Sequence, residues 1–508
     1  MLPSLWFGFT MDQAVGAYVA WVWKKYHLVP YVGAWDLSFP GMYIVHRLAL
    51  EIFGESILGF RLFDFLAQLS VLGMIFYLAR ELFSSSLAGF FSSIFYAVYY
   101  VSGGALETAE KDGYVLLLFL FCLVLIVGLN RQRIVLAVLS GLALGFAFLL
   151  KPFYGLSWLV LAIWFLAKEK AQPRSWLLAG VFGIFCLVPS LLVIAYYADK
   201  GALRELYFAT LWYGFKVYGR TNPFAGSLLI QLLAGFYAIL SRFQILFFLG
   251  ILGIVFAGRE QKSRSLFWIA IVFMLIGLFS FFVQGKYFYY HSIPFWGMMM
   301  LFAGGGLVKL AEYLQEQVKL ILSKATLYLL VLVIIFLGGI HPQLYNFFIK
   351  ASFRKLDVAY YLGNSYDARY YRAVKYLKRF IGRDDEIEFF GWHPIVPYLL
   401  KKKLPSRFCV IYHLFIGAGR YGLTGQQKKW IEEYTRDVIK SRPKFFLLAK
   451  QIPGWEVFAL PSPYLSEILN KYFPKLKEFL LKNYRRVEEV EGIEVYVLKQ
   501  DAEKIEQE

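Results

Sequence analysis

The sequence predicts an α-helical polytopic membrane protein with a C-terminal soluble α/β domain. Of the 508 residues, 59% are hydrophobic and only 17% are charged, which leaves too few polar side chains to cover a soluble chain of this length. The apolar residues form long blocks, and these blocks end near residue 350, where charged residues become frequent. We therefore expect a transmembrane domain over residues 1–349 and a separate domain over residues 350–508.

The apolar blocks indicate where the chain crosses the membrane. A helix of about 20 apolar residues spans a hydrocarbon layer of about 30 Å. About ten blocks approach that length, namely Ile57–Ala79, Leu87–Tyr100, Val115–Leu129, Ile134–Leu150, Phe153–Ala167, Trp176–Tyr197, Phe243–Ala257, Leu266–Val283, Ile293–Val308 and Leu327–Ile340.

Basic residues indicate the orientation, because Lys and Arg concentrate in cytoplasmic loops. If Met1–Ser56 lies outside, alternate loops are short and basic, and they carry Arg131, Arg133, Lys168, Lys170, Arg174, Arg259, Lys262 and Arg264. This orientation places Gln284–Ser292 and the C-terminal domain on the other side. We expect a multi-pass protein of the inner or plasma membrane whose C-terminal domain is extracytoplasmic.

The region after residue 350 has the pattern of a small α/β domain, in which strands alternate with amphipathic helices. Helical spacing is found in Tyr370–Phe380, Gln426–Lys440 and Leu465–Asn483, and strand patterns in Glu386–Phe390, Phe445–Ala449 and Ile493–Leu498. About half of the net charge of +18 lies here. A solvated basic face explains that charge as well as binding to lipid head groups or phosphorylated substrates does.

Several common functional motifs are absent from the sequence. It contains no P-loop, metal-ligand spacing or nucleophile elbow. Its three cysteines, Cys122, Cys186 and Cys409, do not form a disulfide framework. Because the basic residues are spread over loops of a membrane protein, no nucleic-acid partner is expected.

Polar residues collect in three clusters at the predicted outer face. The first contains Asp12 and Asp36. Thr10 precedes Asp12 in the manner of a helix start, so Asp12 also has a structural interpretation as a capping or dipole residue. The second cluster is Glu107–Asp112, whose carboxylates would also suit a solvated turn between two spans.

The third cluster, Gly285–Pro294, combines a cation, several aromatic residues and a histidine. A lysine that reaches the membrane surface and tyrosines at the interface would account for this composition without any function. A single His291 is also compatible with an ordinary structural role.

Taken in order, the clusters resemble motifs of the lipid-dependent GT-C glycosyltransferases, in particular the bacterial aminoarabinose transferases and the protein O-mannosyltransferases. This chain resembles the first external loop of that family at Asp12-Gln13, Pro30-Tyr31, Asp36, Phe39-Pro40, Phe53-Gly54-Glu55 and Arg61-Leu62. It resembles later motifs of the family at Gly141-x-x-x-Gly145 with Lys151-Pro152, at Lys286, His291 and Pro294, and at Phe390-Gly391-Trp392.

The resemblance implies a GT-C-like fold and an enzyme that transfers a hexosyl or pentosyl group from a polyprenyl-phosphate donor. The acceptor would be a hydroxyl of a lipid, glycan or protein outside the cytoplasm, and the sugar carbon would be inverted. Asp12 is implied as the catalytic base. Glu107 or Glu110 would be the acidic residue of the second loop.

The resemblance also implies which residues bind substrate. Arg61, Lys151 and Lys286 would contact the leaving phosphate, with Tyr290 and His291 beside them. No metal ligand is implied, and a divalent cation as cofactor is left open.

The chain departs from the family pattern in its first loop. Gln13 replaces the second residue of a frequent acidic doublet, and Ser38-Phe39-Pro40 lacks the usual basic residue. Only eleven residues precede Asp12, where the family has a spanning helix. Either Met1 is a late start, in which case we expect upstream codons to encode roughly 20 apolar residues, or the chain lacks that helix.

Two other functions fit a basic polytopic protein: a transporter or flippase of lipid-linked glycans, and a noncatalytic membrane scaffold. Transporters tend to place polar residues and broken helices near the middle of the membrane. Here the acidic residues collect at one predicted face, which favours the enzyme. A scaffold would tolerate substitution of Asp12, whereas an enzyme that uses this base would not.

Overall fold

The computed structural model describes residues 1–129, 132–168, 172–221, 227–241, 243–260, 263–316, 322–339 and 366–505. The chain divides into two compact units. The helical unit consists of Met1–Leu5, Arg61–Ala195 and Gly226–Arg354, and the mixed unit of Trp6–Phe60, Tyr196–Ala225 and Lys355–Glu508. The expected boundary near residue 350 lies outside the described residues, so the limits 1–349 and 350–508 stay a prediction.

Helices account for most of the chain before that boundary. In chain order they are α1 (Met11–Tyr26), α2 (Pro40–Phe53), α3 (Ile57–Phe83), α4 (Ser86–Ser102), α5 (Lys111–Gly128), α6 (Arg133–Leu150), α7 (Leu156–Lys168), α8 (Pro173–Asp199), α9 (Leu228–Leu240), α10 (Gln244–Glu260), α11 (Arg264–Gln284), α12 (Ile293–Glu316) and α13 (Lys324–Gly339). From α3 onward they follow the apolar blocks of the sequence, except α9, which lies outside all of the predicted blocks. The predicted fold class is confirmed.

Among the described residues, six helices are long and apolar enough to cross a membrane: α3, α5, α6, α8, α11 and the segment Tyr289–Glu316 that contains α12. The pair α9 and α10 has the required length only when taken together. Shorter apolar helices are found at Ser86–Ser102, Pro152–Lys168 and Lys324–Ile334. The protein is therefore multi-pass, while the number of about ten spans stays a prediction.

The surface of α8 has the character expected of a lipid-facing helix. The side chains of Ile184 and Leu192 are 63% and 66% exposed. Such exposure of apolar side chains would be unfavourable in water. In a membrane the same surface contacts acyl chains, so its exposure carries no such cost.

Helix α12 lies at the centre of the helical unit and packs against both α4 and α10. Three consecutive glycines allow this close approach. A Cβ atom on Gly304 would lie 2.4 Å from the carbonyl oxygen of Ala88, and one on Gly306 would lie 2.0 Å from that of Leu249. Small residues of this kind let membrane helices bring their backbones together.

The mixed unit contains a four-stranded sheet of strands β1 (Ile387–Phe390), β2 (Phe445–Ala449), β3 (Tyr484–Val490) and β4 (Ile493–Leu498) in the order β1-β2-β4-β3. Strands β1 and β2 are parallel, and both other pairs are antiparallel. Around them lie α14 (Tyr366–Leu377), α15 (Ile395–Leu400), α16 (Gly425–Ser441), α17 (Leu465–Tyr472), α18 (Pro474–Asn483) and α19 (Lys499–Ile505).

Most of the elements expected after residue 350 are confirmed, with one correction. The helical stretch expected at Leu465–Asn483 is divided into α17 and α18 at Phe473. Pro474 begins α18 because proline lacks a backbone N–H and is accepted at the first helical position.

Candidate active site

Three helix ends of the helical unit bring a buried ion pair together. Helix α5 begins at Lys111, α6 ends at Leu150 and α11 ends at Gln284. The Nζ atom of Lys151 lies 2.6 Å from Oδ2 of Asp112 and 2.9 Å from Oε1 of Gln284. The hydroxyl of Tyr154 donates to Oδ1 of Asp112 over 2.7 Å. We call these four residues, Asp112, Lys151, Tyr154 and Gln284, the Lys151 cluster.

Local structure places both charges of this cluster. Lys151 is the residue immediately after α6, and Pro152 follows it, so the cation lies at the negative end of the helix dipole. Asp112 lies in the first turn of α5, at a positive end. Lys151 is 7% exposed and Asp112 is fully buried, and a buried pair of this kind is costly to break.

The glycines of the Gly141-x-x-x-Gly145 motif have a packing role. A Cβ atom on Gly145 would lie 2.4 Å from the carbonyl oxygen of Cys186, and one on Gly141 would lie 2.7 Å from that of Phe182. The motif therefore brings α6 against α8 and thereby positions the end of α6 that carries Lys151.

The aromatic segment before α12 lies beside the Lys151 cluster. The Nζ atom of Lys151 is 5.8 Å from the centre of the Tyr290 ring, and the rings of Tyr290 and His291 meet edge to face at 4.5 Å. His291 is 5% exposed, and its Nδ1 atom has no hydrogen-bond partner in the described part of the chain. Lys286, in the same segment, is 7% exposed.

The acidic cluster Glu107–Asp112, which we call the acidic loop, lies in the same unit, and both of its glutamates are buried. Glu107 is 8% exposed and Glu110 is 2% exposed. Glu110 is the residue before the first turn of α5 and lies within electrostatic range of Lys151. Arg61, which is fully buried, donates to Oγ1 of Thr108 over 3.0 Å. The helical unit thus brings Glu110, Lys151, Tyr290 and His291 together, and it connects Arg61 to the acidic loop.

Asp12 lies in the mixed unit, in the first turn of α1. Thr10 and Gln13 cap the start of α1, because both the backbone N–H and the hydroxyl of Thr10 lie 2.7 Å from Oε1 of Gln13. Gln13 therefore has a capping function at the position where the family often has a second acid. Capping of α1 does not require the carboxylate of Asp12, which is half-buried.

Asp36 and His413 form a buried pair in the mixed unit. Oδ1 of Asp36 lies 3.7 Å from Nε2 of His413, and Oδ2 accepts from the hydroxyl of Tyr43 over 2.8 Å. Burial lowers the pKa of His413, although Asp36 and Asp12 oppose that shift. Burial and then the charge of Asp12 raise the pKa of Tyr412.

Sequence reasoning did not select several of these residues. Asp112 stood in the acidic cluster, but the glutamates were preferred to it, and nothing in the sequence tied it to Lys151. Asp36 was noted in the first loop and given no role. Tyr154, Gln284 and His413 were not considered.

No group of three or more His, Cys, Asp or Glu side chains that could hold a metal ion is found within the described ranges.

Known proteins provide independent comparisons. Residues 39–195 match the family model "Dolichyl-phosphate-mannose-protein mannosyltransferase". The whole fold is similar to the crystal structure of ArnT from Cupriavidus metallidurans in the apo state, with a TM-score of 0.56 and 13% identity over 97% of this chain and 95% of that one. The same enzyme bound to undecaprenyl phosphate gives a TM-score of 0.52 at 13% identity over the same shares of the two chains. No curated protein sequence matches.

The sequence motifs, the helical fold and these comparisons agree with one another. The family match covers the first loop after Ser38 and the helices through most of α8, which include Arg61, the acidic loop and all of the Lys151 cluster except Gln284. The fold match covers nearly all of both chains. The chain is a multi-pass membrane protein with the fold of ArnT, and its residues 39–195 are similar to the mannosyltransferase family.

Proposed function

We propose that this protein is a glycosyltransferase of the GT-C type, which takes its sugar from a polyprenyl-phosphate carrier and transfers it, with inversion, to a hydroxyl group on the extracytoplasmic side of the membrane. The observation that carries the proposal is the Lys151 cluster, a buried cation at a helix end beside Tyr290 and His291. The ArnT structure with undecaprenyl phosphate gives the class of carrier that we assign to this chain.

Lys151 has the chemistry needed to hold a phosphate. An ammonium group has three N–H donors. Asp112 and Gln284 accept two of them, and we assign the third to an oxygen of the carrier phosphate. Lys286 and Arg61 remain candidates for the same role, and His291 contributes a ring nitrogen. Fixed positive charge at this position stabilises the phosphate as it leaves the sugar.

The transfer requires a base as well as a site for the leaving group. The acceptor oxygen bonds to the sugar carbon from the side opposite the phosphate, the carbon–oxygen bond to phosphate breaks, and its electron pair stays with the phosphate. The hydroxyl proton passes to a carboxylate. We assign this role to Asp12, and to Glu107 or Glu110 if Asp12 is dispensable.

The experiment is sugar transfer by purified full-length protein in nanodiscs. The donors are radiolabelled sugars linked to undecaprenyl phosphate, and the acceptors are membranes from a strain that lacks the gene. Asp12→Asn keeps the shape of the side chain but is a far weaker base, so transfer should fall at least ~100-fold at an unchanged melting temperature.

Asp199→Asn is the matched control, since Asp199 belongs to the same unit and its side chain is 69% exposed. This variant should retain wild-type transfer. Near-normal turnover by Asp12→Asn would remove Asp12 as the base and shift the assignment to Glu107 or Glu110. A wild-type protein that uses none of the labelled donors would overturn the proposed carrier.

A further inference from the structure

A second polar network lies within helices α3 and α4 of the helical unit. Asp64 on α3 is fully buried. Its Oδ2 atom accepts from the hydroxyl of Tyr100 over 2.8 Å, and its Oδ1 atom accepts from the amide of Gln68 over 3.2 Å. The hydroxyl of Tyr96 donates to Gln68 over 2.7 Å. An ionisable residue inside an apolar helix is costly, which makes a functional role the first hypothesis.

This network reaches the acidic loop through Tyr100. The backbone N–H of Ala109 donates to the hydroxyl oxygen of Tyr100 over 2.7 Å. Because that oxygen accepts from Ala109, its own proton is directed to Asp64. Ala109 has a φ of 61°, a left-handed conformation that is unfavourable for a residue with a Cβ atom. The bond to Tyr100 helps to hold Ala109 in it.

Arg61 holds the neighbouring residue of the loop. It lies one turn before Asp64 on α3, and its NH1 atom donates to Oγ1 of Thr108 over 3.0 Å. That hydroxyl in turn donates to the carbonyl oxygen of Gly104 over 2.7 Å. Two side chains of one helical turn therefore hold adjacent residues of the loop: Arg61 holds Thr108 directly, and Asp64 holds Ala109 through Tyr100.

Thr108 and Ala109 are the two residues that separate Glu107 from Glu110 on the loop. We propose that Asp64 and Arg61 are positioning residues, which fix the backbone between Glu107 and Glu110 and so place both carboxylates. The inference rests on the proposed function only in that these carboxylates serve sugar transfer. Rigid support beneath a reacting group is what precise catalytic geometry requires.

The direct test is amide hydrogen exchange of the peptide that contains residues 103–110, measured by mass spectrometry on the full-length protein in nanodiscs. Tyr100→Phe removes the acceptor of the Ala109 N–H, so exchange in this peptide should become about threefold to tenfold faster. Asp64→Asn keeps an uncharged acceptor for Tyr100 and should give a smaller increase than Asp64→Leu.

Tyr96→Phe is the matched control. It removes the same atom one turn earlier on α4, but the lost hydrogen bond goes to Gln68 and not to the loop. General loosening of α4 would accelerate exchange equally in both variants, whereas the positioning role predicts a change of less than about twofold for Tyr96→Phe. Wild-type exchange in Tyr100→Phe, or equal acceleration in both variants, would overturn the inference.

A second readout connects the network to turnover. Tyr100→Phe should lower kcat for sugar transfer about tenfold and leave the KM for the donor nearly unchanged, because a displaced carboxylate affects the chemical step. A rise in KM alone, or an equal loss of kcat in Tyr96→Phe, would contradict the positioning role. A wild-type protein without transfer activity would contradict the proposed function. The exchange experiment would still show whether the hydrogen bond to Tyr100 holds the acidic loop in place.

Discussion

At the scale of single residues, Lys151 combines a structural and a proposed catalytic role. Its ammonium compensates the buried carboxylate of Asp112, and Nζ of Lys151 lies 2.6 Å from Oδ2 of Asp112. Removal of one partner from a buried pair leaves the other charge uncompensated, which typically costs about 3–5 kcal/mol. A variant that lacks Lys151 alone would therefore lose stability whatever its role in catalysis.

The two roles of Lys151 can be separated by removal of both charges. Replacement of a buried ion pair by apolar residues of similar size is often neutral or stabilising. The double variant Lys151→Met/Asp112→Leu should therefore keep a melting temperature within a few degrees of the wild type, yet lose sugar transfer at least ~100-fold. Thermal melting in detergent and the donor assay measure the two effects. Retained transfer would show that the pair has only a structural role.

The sequence supported the prediction of Lys151 but not of its partner. A lysine at the end of an apolar block is conspicuous, because a buried amine needs an anion. Its partner Asp112 lies 39 positions away, on a different helix. Hydropathy patterns give the ends of helices to within a few residues, and they do not tell which ends meet. For the same reason Gln284 and Tyr154 could not be predicted.

At the scale of elements, strand β1 contains an unexpected buried acid. Glu388 is fully buried between apolar neighbours, and it accepts from the hydroxyl of Tyr434 over 2.7 Å. Burial raises the pKa of this carboxyl from 4.5 to about 8, against the opposing effect of that hydrogen bond. The folded protein therefore holds this proton at pH values where the unfolded chain has released it.

This shift predicts a pH dependence of stability. Between pH 4.5 and about 8 the folded state binds more protons than the unfolded state, so the free energy of unfolding falls as the pH rises through this window. The total change should be about 3–5 kcal/mol. Melting temperatures of the wild type should decrease from pH 5 to pH 8.5, and Glu388→Gln should flatten that decrease.

Glu386→Gln provides the control for this measurement, because Glu386 lies two residues earlier and is exposed. This variant should follow the wild-type profile. If Glu388→Gln also follows it, the carboxyl of Glu388 titrates normally in the folded protein and the predicted linkage is wrong.

The strands differ in how well their sequences predict them. Strand β2 was predicted with its observed limits, since it is a short apolar run that is buried throughout. Strand β3, Tyr484–Val490, was not predicted. Its five central residues are charged or half-exposed, and it lies at the edge of the sheet. An edge strand of this kind lacks the apolar signal on which strand prediction depends.

At the scale of the whole molecule, the order of the helices determines the sides on which their connections lie. If every apolar block crosses the membrane, the acidic loop, Lys151, the segment before α12 and the region after α13 share one side. Arg133, Arg174 and Arg259 then lie on the other side. Because Lys and Arg are abundant in those loops, we propose that this second side is the cytoplasm.

Labelling of single cysteines tests this topology. In a background without Cys122, Cys186 and Cys409, a cysteine at the exposed position Lys475 should react with a membrane-impermeant reagent in intact cells. A cysteine at the exposed position Arg259 should react only after permeabilisation. Equal labelling of both positions in intact cells would be incompatible with the proposed orientation.

The mixed unit is built from segments that lie far apart in the sequence, and local sequence patterns do not predict such a unit. In this unit the backbone N–H of Trp35 donates to the carbonyl oxygen of Arg407 over 2.7 Å, and that of Leu404 donates to the hydroxyl of Tyr18 over 2.9 Å. The first loop and the C-terminal region are thus one compact unit, although more than 300 residues separate them in the chain. Apolar blocks identify the membrane helices, but local patterns carry no information about such distant partners.

The glycines of α12 also have a consequence for biosynthesis. Helices α4 and α10 pack against backbone that belongs to residues 304–306, and no bulkier side chain from elsewhere could fill that narrow space. Both helices precede α12 in the chain, so they lack this common neighbour until α12 has been synthesised. Assembly of the helical unit is therefore completed late in translation, and until then lipid or a chaperone must cover the surfaces that α12 will occupy.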